Sequence, residues 1–112
     1  MKKINIVKEK KDFDNAFKLK NQYTSKYTYI YIKDNDQKKY RFGICVSKKI
    51  GNAVTRNKYK RRIKDIIDKS KLQFEDKDYI IVLKKSAKDA EYLDLKEDLL
   101  KSFKEILRIG ED

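Results

Sequence analysis

A run of five apolar residues, Tyr79-Ile80-Ile81-Val82-Leu83, constrains the fold of this chain more than any other segment. A short run rich in β-branched side chains predicts a strand, and apolar side chains at successive positions predict burial on both faces of a sheet. Only 39% of the residues are hydrophobic and 43% are charged, so the core must be small. We therefore expect one domain over residues 1–112, and no apolar segment is long enough to span a membrane.

Two more strands are predicted before the apolar run. From residue 25 to residue 33, alternation places Tyr27, Tyr29 and Tyr31 on one face and Thr28, Ile30 and Ile32 on the other. From residue 39 to residue 47, it places Tyr40, Phe42, Ile44 and Val46 on one face and Arg41, Gly43 and Cys45 on the other. The turn signal Asp34-Asn35-Asp36 lies between these segments, so we expect them to pair as a hairpin.

Three helices and a short helical turn near residues 87–91 complete the pattern. The first helix is expected from a cap at Asp12 to about Lys20, the second from about residue 55 to 69, and the third from about residue 94 to 108. Their predicted buried stripes are Phe13, Ala16 and Phe17; then Tyr59, Ile63, Ile66 and Ile67; then Leu95, Leu99, Leu100, Phe103, Ile106 and Leu107. For the third helix we expect a capping box of Asp94 and Glu97, with Gly110 just past its end. The order α-β-β-α-β-α predicts an α/β (α+β) two-layer sandwich, in which helices pack on a small mixed sheet.

The positive charge is concentrated in one quarter of the chain. The formal net charge is +12, and residues 37–64 contain eleven basic side chains and no acidic one. A field of this kind attracts a polyanion, and nucleic acid is the first candidate. A lysine-rich solvated surface is the alternative, but it explains an acid-free window of this length poorly.

Several classes of function are excluded by missing residue types. The chain has no histidine, so it cannot supply a Ser-His or Cys-His nucleophile. Its one cysteine, Cys45, has no disulfide partner within the chain. The N-terminal residues become charged too early for a signal peptide, so we expect a cytoplasmic protein.

The most specific motif begins at Ser47-Lys48-Lys49-Ile50-Gly51-Asn52-Ala53-Val54 and continues through Arg56-Asn57-Lys58 to Lys64. It resembles the signature of the bacterial ribonuclease P protein subunit, in which a strand ends in S-K-K-[IV]-G-N-A-V and is followed by a helix with R-N-R. The segments Asp12–Phe17, Arg41–Val46 and Asp78–Val82 extend the resemblance over nearly the whole chain. One position departs from the pattern, because Lys58 replaces the last arginine and loses its planar fork.

The resemblance implies a protein that assembles with the RNase P RNA and promotes removal of the 5′ leader of precursor tRNA. In that family the RNA supplies the active site and its Mg²⁺ ions. The implied fold is like domain 2 of ribosomal protein S5, with a left-handed β-α-β crossover. A general RNA-binding module, similar to a ribosomal protein or an RNA chaperone, is the alternative function.

Two groups of residues are candidates for the RNA interface. Those expected to bind the catalytic RNA are Lys48, Lys49, Arg56, Asn57, Lys58, Lys60, Arg61, Arg62 and Lys64. Those expected to stack on leader bases are Phe13, Phe17 and Tyr31, onto which the resemblance maps leader contacts, together with Tyr27 and Tyr29 on the same predicted face. The phenylalanines have a structural alternative, since an aromatic pair spaced i, i+4 is often part of a core.

Asn57 has two alternative roles: it caps the helix, or it contacts water on a phosphate-bound metal ion. We expect no direct metal ligand in the chain. A third hypothesis, a metal-dependent nuclease, would use Asp34 and Asp36 or Glu75, Asp76 and Asp78. Both clusters lie in predicted turns, where aspartate is common for backbone reasons.

Overall fold

The computed structural model describes residues 1–109. Three helices and four strands form in this part of the chain. They are α1 (Lys10–Phe17), β1 (Gln22–Thr24), β2 (Thr28–Asp34), β3 (Arg41–Cys45), α2 (Ala53–Ser70), β4 (Lys77–Leu83) and α3 (Tyr92–Ile109). The predicted α+β class with a mixed sheet is confirmed, and β1 is an additional strand that the sequence pattern did not predict.

The apolar run forms β4, which is an inner strand of the sheet. The strand order is β1-β2-β4-β3, with β4 antiparallel to β2 and parallel to β3. The predicted hairpin between β2 and β3 is therefore wrong, because β4 lies between them. Tyr79, Ile80 and Ile81 are almost fully buried, and an inner position covers both faces and both edges of such a strand.

The two faces of the sheet are covered unequally. On one face, which we call the core face, Ile30, Phe42 and Ile81 pack in one cluster with residues of α2 and α3. The other face, which we call the open face, carries a smaller cluster in which Ile80 packs with Val7 and Ala16. The alternation predicted for β3 is confirmed, since Phe42 belongs to the core face and Cys45 to the open face.

The helix α2 connects the parallel strands β3 and β4 and packs on the core face. Its predicted stripe of Tyr59, Ile63, Ile66 and Ile67 is buried, which confirms the periodicity. Its start is two residues earlier than predicted, at Ala53. The cap is Asn52, whose side-chain oxygen accepts a hydrogen bond from the Thr55 N–H at 2.9 Å.

Other boundaries also differ from the prediction. Asp12 lies inside α1 instead of capping it, because the helix begins at Lys10 with Glu9 as its cap residue. The predicted capping box of α3 is wrong, because the Leu95 N–H donates to the Glu91 carbonyl and Asp94 is already helical. The short helical turn is at Lys85–Ala87, slightly earlier than expected. Gly110, predicted to end α3, lies outside the described residues.

The N-terminal segment adds to the edge of the sheet next to β3. Ile6 forms a parallel bridge with Phe42, and the Val7 N–H donates to the Phe42 carbonyl at 2.9 Å. This pairing fixes the position from which the chain turns over the open face into α1. Within residues 1–109, none of the helices has the length and apolarity required to cross a lipid bilayer.

Candidate nucleic-acid interface

The basic side chains of the predicted interface lie on α2 and on the turn before it. Lys48 and Lys49 are exposed in the turn, and Lys58 and Arg61 are exposed on the outer side of α2. Arg56, Lys60, Arg62 and Lys64 are half-buried on the flanks of the helix. The helix presents these side chains outward because its opposite side is occupied by the buried isoleucine stripe.

The cations of this surface lack ionic partners among the described residues. Within residues 1–109, no carboxylate oxygen lies within 4.0 Å of Lys48, Lys49, Arg56, Lys58, Lys60, Arg61, Arg62 or Lys64. The two acidic residues of α2 are engaged elsewhere, Asp65 with Lys69 and Asp68 with the amino group of Met1. The surface is therefore uncompensated positive charge, which is the arrangement that phosphate groups attract.

Two arginines of this surface have different surroundings. The guanidinium of Arg62 lies over the Tyr59 ring, 5.7 Å from its centroid, and is oriented by that packing. The Nε of Arg56 is buried and has no hydrogen-bond partner among the described residues.

Asn57 is exposed on the outer side of α2 and does not cap the helix, because Asn52 does. With Val54, Lys60, Arg61 and Lys64, it lines a shallow depression of about 410 Å³. The capping alternative is thus wrong. The Asn57 side chain presents a neutral amide among the cations of Lys60, Arg61 and Lys64. This group of side chains suits a phosphate and its hydration shell, and it offers no carboxylate for direct coordination of Mg²⁺.

The helix α1 covers one part of the open face and leaves another part free. Phe13 lies directly over Gly43, where a Cβ atom would be only 2.6 Å from the Phe13 Cε1. Phe17, at the other end of the helix, meets Tyr31 edge-to-face with ring centroids 5.2 Å apart. Next to the row that α1 covers, Tyr29, Val82 and Cys45 lie side by side and are half-buried, and we call this row the free row because its side chains remain partly exposed.

The five predicted stacking residues have different environments. Phe17 is 42% exposed, and Tyr29 and Tyr31 are half-buried on the open face, so all three are accessible. Phe13 is half-buried against the Val7, Ala16 and Ile80 cluster, which gives it a packing role. The placement of Tyr27 with the other tyrosines is wrong. It precedes β2 in a bend, is 6% exposed and belongs to the core cluster.

Lys84, which follows β4 directly, was not among the residues predicted from the sequence. Its ammonium lies over the Tyr29 ring, 4.8 Å from the centroid, and donates to the Ser25 carbonyl at 3.0 Å. Ser25 is held in turn by Asp98 of α3, which accepts from the Ser25 hydroxyl at 2.7 Å and from the Tyr27 N–H at 3.1 Å. The sequence shows only that a lysine follows an apolar strand, and this does not indicate that its ammonium lies over the Tyr29 ring.

Cys45 is the β3 member of the free row and is half-buried. Burial raises the pKa of its thiol, and the positive charge of Lys60 partly opposes that effect. Lys84 lies over Tyr29 at the β2 side of the row. The free row therefore combines partly exposed aromatic and apolar side chains with a lysine at its β2 side.

The acidic cluster proposed for a nuclease has a structural role at Asp78. This carboxylate is 1% exposed and receives two hydrogen bonds from Arg41, at 2.8 and 2.6 Å, and one from Asn35 at 2.8 Å. Asp34, by contrast, has a side chain that is 93% exposed, with Lys77 at 3.8 Å. Within residues 1–109, no three acidic or cysteine side chains are grouped in a way that could hold a metal ion.

Comparison with known proteins gives a consistent result. The model of the family described as Ribonuclease P matches residues 1–107. The ribonuclease P protein component of Streptococcus pneumoniae serotype 4 is 39% identical over 101 residues, which cover 89% of this chain and 82% of that protein. The solved RNase P protein of Staphylococcus aureus aligns with a TM-score of 0.79 and 31% identity, over 96% of this chain and 95% of that one. The Thermotoga maritima RNase P protein aligns with a TM-score of 0.77 and 25% identity, over 85% of this chain and 91% of that one.

Proposed function

The chain belongs to the ribonuclease P protein family, and we propose that it assembles with the catalytic RNA of ribonuclease P and holds the 5′ leader of precursor tRNA on its open face. The protein is the accessory subunit of this tRNA-processing endoribonuclease, and the bond cleavage belongs to the RNA. The observation that carries the proposal is the set of eight cations on and before α2 without a carboxylate within 4.0 Å in the described residues. The single thiol and the absence of an internal disulfide support a cytoplasmic location for this activity.

Binding to the catalytic RNA is assigned to α2 and the turn before it. Lysine and arginine side chains neutralise phosphates and release counterions, so affinity falls steeply as salt rises. Lys58 has the same charge as the arginine found at this position in the family motif. Because its ammonium lacks the planar fork of a guanidinium, it contacts one phosphate as a single charge and does not make paired hydrogen bonds. Arg56 and Arg61 keep their planar forks for paired contacts.

Leader binding is assigned to the part of the open face that α1 leaves free. Single-stranded RNA needs surfaces on which unpaired bases can stack, with cations nearby for the phosphates. Phe17 and Tyr31 meet at the end of α1, and Tyr29 continues the aromatic surface along the sheet. Lys84, whose ammonium lies 4.8 Å from the centroid of the Tyr29 ring, supplies a cation beside this surface for a leader phosphate. Mature tRNA has no leader, so this surface selects the precursor.

Magnesium belongs to the RNA in this proposal. Mg²⁺ prefers carboxylate oxygens and water, and the exposed side of α2 offers only the amide of Asn57 among cations. When bound to the RNA, Mg²⁺ supplies charge neutralisation and an activated nucleophile. Asn57 and its neighbours would hold the RNA phosphates and their hydration shell.

The decisive experiment is cleavage of precursor tRNA at low Mg²⁺ by a bacterial ribonuclease P RNA, with and without this protein. We expect strong rescue of cleavage by the protein and none by the protein alone. Salt-sensitive RNA binding without rescue would instead support a general RNA-binding module. Cleavage by the protein alone would favour a nuclease.

Variants separate the two surfaces. Arg61→Ala should weaken binding to the catalytic RNA and reduce the salt slope by roughly one unit, because one phosphate contact is lost. The matched control is Lys101→Ala, which removes an exposed cation of α3. Phe17→Ala should weaken binding of precursor tRNA by about 1 to 3 kcal/mol without affecting mature tRNA. Leu93→Ala, at another exposed apolar residue, should change neither.

A further inference from the structure

A second basic surface lies at the corner of the molecule where the N-terminal segment, the first turn of α1 and the turn between β2 and β3 meet. These segments, residues 3–12 and 37–41, enclose a groove of about 540 Å³ that we call the corner groove. Five of its lining residues are cations and two are carboxylates, and none belongs to α2. Lys39 and Arg41 are part of the acid-free window, and the surface on α2 does not account for them.

The backbone that carries these side chains is anchored. The Asn5 side-chain amide donates to the Tyr40 carbonyl at 2.6 Å, and the Val7 N–H donates to the Phe42 carbonyl at 2.9 Å. Across the groove, the Asn35 amide donates to the Lys39 carbonyl at 3.1 Å. The lysines of the groove therefore project from fixed positions on two separate segments, which lowers the entropy that a ligand must remove.

The charges in the groove do not cancel. Arg41 turns inward to Asp78 at 2.6 Å and also lies 3.8 Å from Asp12, so the Asp12 carboxylate is already compensated. Lys11 pairs with Glu9 at 3.3 Å. In the described part of the chain, Lys3, Lys8 and Lys39 have no carboxylate within 4.0 Å. These three ammonium groups make the groove a site for anions.

The lining of the groove determines which part of an RNA it fits. Among the described residues that line it, none is aromatic, and its apolar members are Ile4 and Ile6. Unpaired bases need aromatic surfaces for stacking, and this groove offers none, whereas phosphates of a folded RNA need only fixed cations. We propose that the corner groove binds backbone phosphates of the catalytic RNA, as a second contact separate from α2. This inference rests on the proposed assembly with that RNA.

The test is the salt dependence of holoenzyme assembly for a triple variant, Lys3→Gln, Lys8→Gln and Lys39→Gln. The control removes three exposed lysines elsewhere, through Lys88→Gln, Lys101→Gln and Lys104→Gln. Three lost phosphate contacts should reduce the slope of log affinity against log salt by about 2 to 3, while the control changes it much less. Equal slopes for the two triple variants would overturn the proposal.

Three further outcomes are informative. A loss that depends on leader length would overturn the proposal, because the groove would then be serving the leader. If the triple variant bound the catalytic RNA normally while Arg61→Ala bound it more weakly, the proposal would be overturned as well, and the proposed function would stand. Loss of rescue and of RNA binding by the wild-type protein would instead refute the proposed function.

Direct mapping supplies an independent readout. An iron chelate can be attached to Lys39→Cys in a Cys45→Ser background, since Cys45 is the only cysteine. In the assembled holoenzyme, the chelate should cleave the catalytic RNA at positions different from those cut by a chelate at Lys58→Cys. Cleavage confined to the leader, or absent from the RNA, would contradict the proposed contact.

Discussion

Replacing Gly43 with alanine tests the packing that holds α1 on the open face. Gly43 has no positive φ, so its backbone conformation suits alanine. On backbone grounds alone the substitution would stabilise the protein by about 0.4–1 kcal/mol, because the unfolded chain loses freedom. The new Cβ, however, would lie 2.6 Å from the Phe13 Cε1 and 2.8 Å from the Ile80 Cδ1. A destabilising effect therefore reports that Phe13 and Ile80 pack against Gly43, and the double variant below isolates the contribution of Phe13.

The size of the expected effect follows from these distances. Carbon atoms in contact are about 3.5–4.0 Å apart, so the Phe13 ring must retreat by roughly 1 Å. Overpacking of this kind costs about 1–3 kcal/mol. For a chain of 112 residues, the melting temperature should fall by roughly 4 to 12 °C. Because Phe13 and Phe17 share one short helix, binding of precursor tRNA should weaken as well.

Urea unfolding of Gly43→Ala, Phe13→Leu and the double variant measures the coupling directly. Leucine lacks the ring atoms that meet the new Cβ, so the double variant should be more stable than the sum of the single effects predicts. Equal or greater stability of Gly43→Ala, together with additive effects in the double variant, would refute the packing that we describe.

Three other predictions concern stability. Asn52→Ala should cost about 1 kcal/mol in urea unfolding, because the Thr55 N–H loses its acceptor, whereas the neighbouring Ala53→Ser should have little effect. Asp78→Asn should cost about 1.5–3 kcal/mol, because it weakens the two charge-assisted hydrogen bonds from Arg41 and leaves that guanidinium with only the more distant Asp12 among the described residues, and a cost as small as that of the exposed Asp34→Asn would contradict this role. Burial raises the pKa of Tyr79 to about 12 from an ordinary value of 10.0. The neutral hydroxyl is therefore favoured in the folded state, and its contribution is complete below about pH 10 and is lost as the pH rises toward about 12. Unfolding measured over this range should show a smaller decline for Tyr79→Phe, and an unchanged decline would refute this assignment.

The candidate site was predictable to the extent that its residues are neighbours in the sequence. The unpaired cations of α2 follow from one acid-free window and one helical stripe, and both can be read from spacing. The contact of Lys84 with Tyr29 joins residues far apart in the chain, as does the Ser25 contact with Asp98. No local pattern contains such pairs. The corner groove likewise combines residues 3–12 with residues 37–41, which long-range contacts such as the bridge of Ile6 with Phe42 and the hydrogen bond of Asn5 to Tyr40 bring together.

Tyr27 illustrates the limit of periodicity within a single segment. Alternation predicts its face only if the strand extends that far, but the Ser25 N–H donates to the Thr28 carbonyl at 2.9 Å and bends the chain. The regular alternation of β2 therefore begins only at Thr28, one residue after Tyr27, and the Tyr27 ring enters the core. A side chain can be assigned to a face only where the backbone on both sides of it is regular.

Spacing and composition along the chain are enough to predict the three helices, three of the four strands found in residues 1–109, and the concentration of positive charge. These properties are local and do not depend on how the chain folds. The position of β4 between β2 and β3 is visible only in the folded protein, because alternation reports which side chains share a face and does not report which strands are neighbours. The physical reason is burial. The side chains of Tyr79, Ile80 and Ile81 alternate between the two faces of β4 and are almost fully buried, and an inner position in the sheet removes both faces and both edges of such a strand from water.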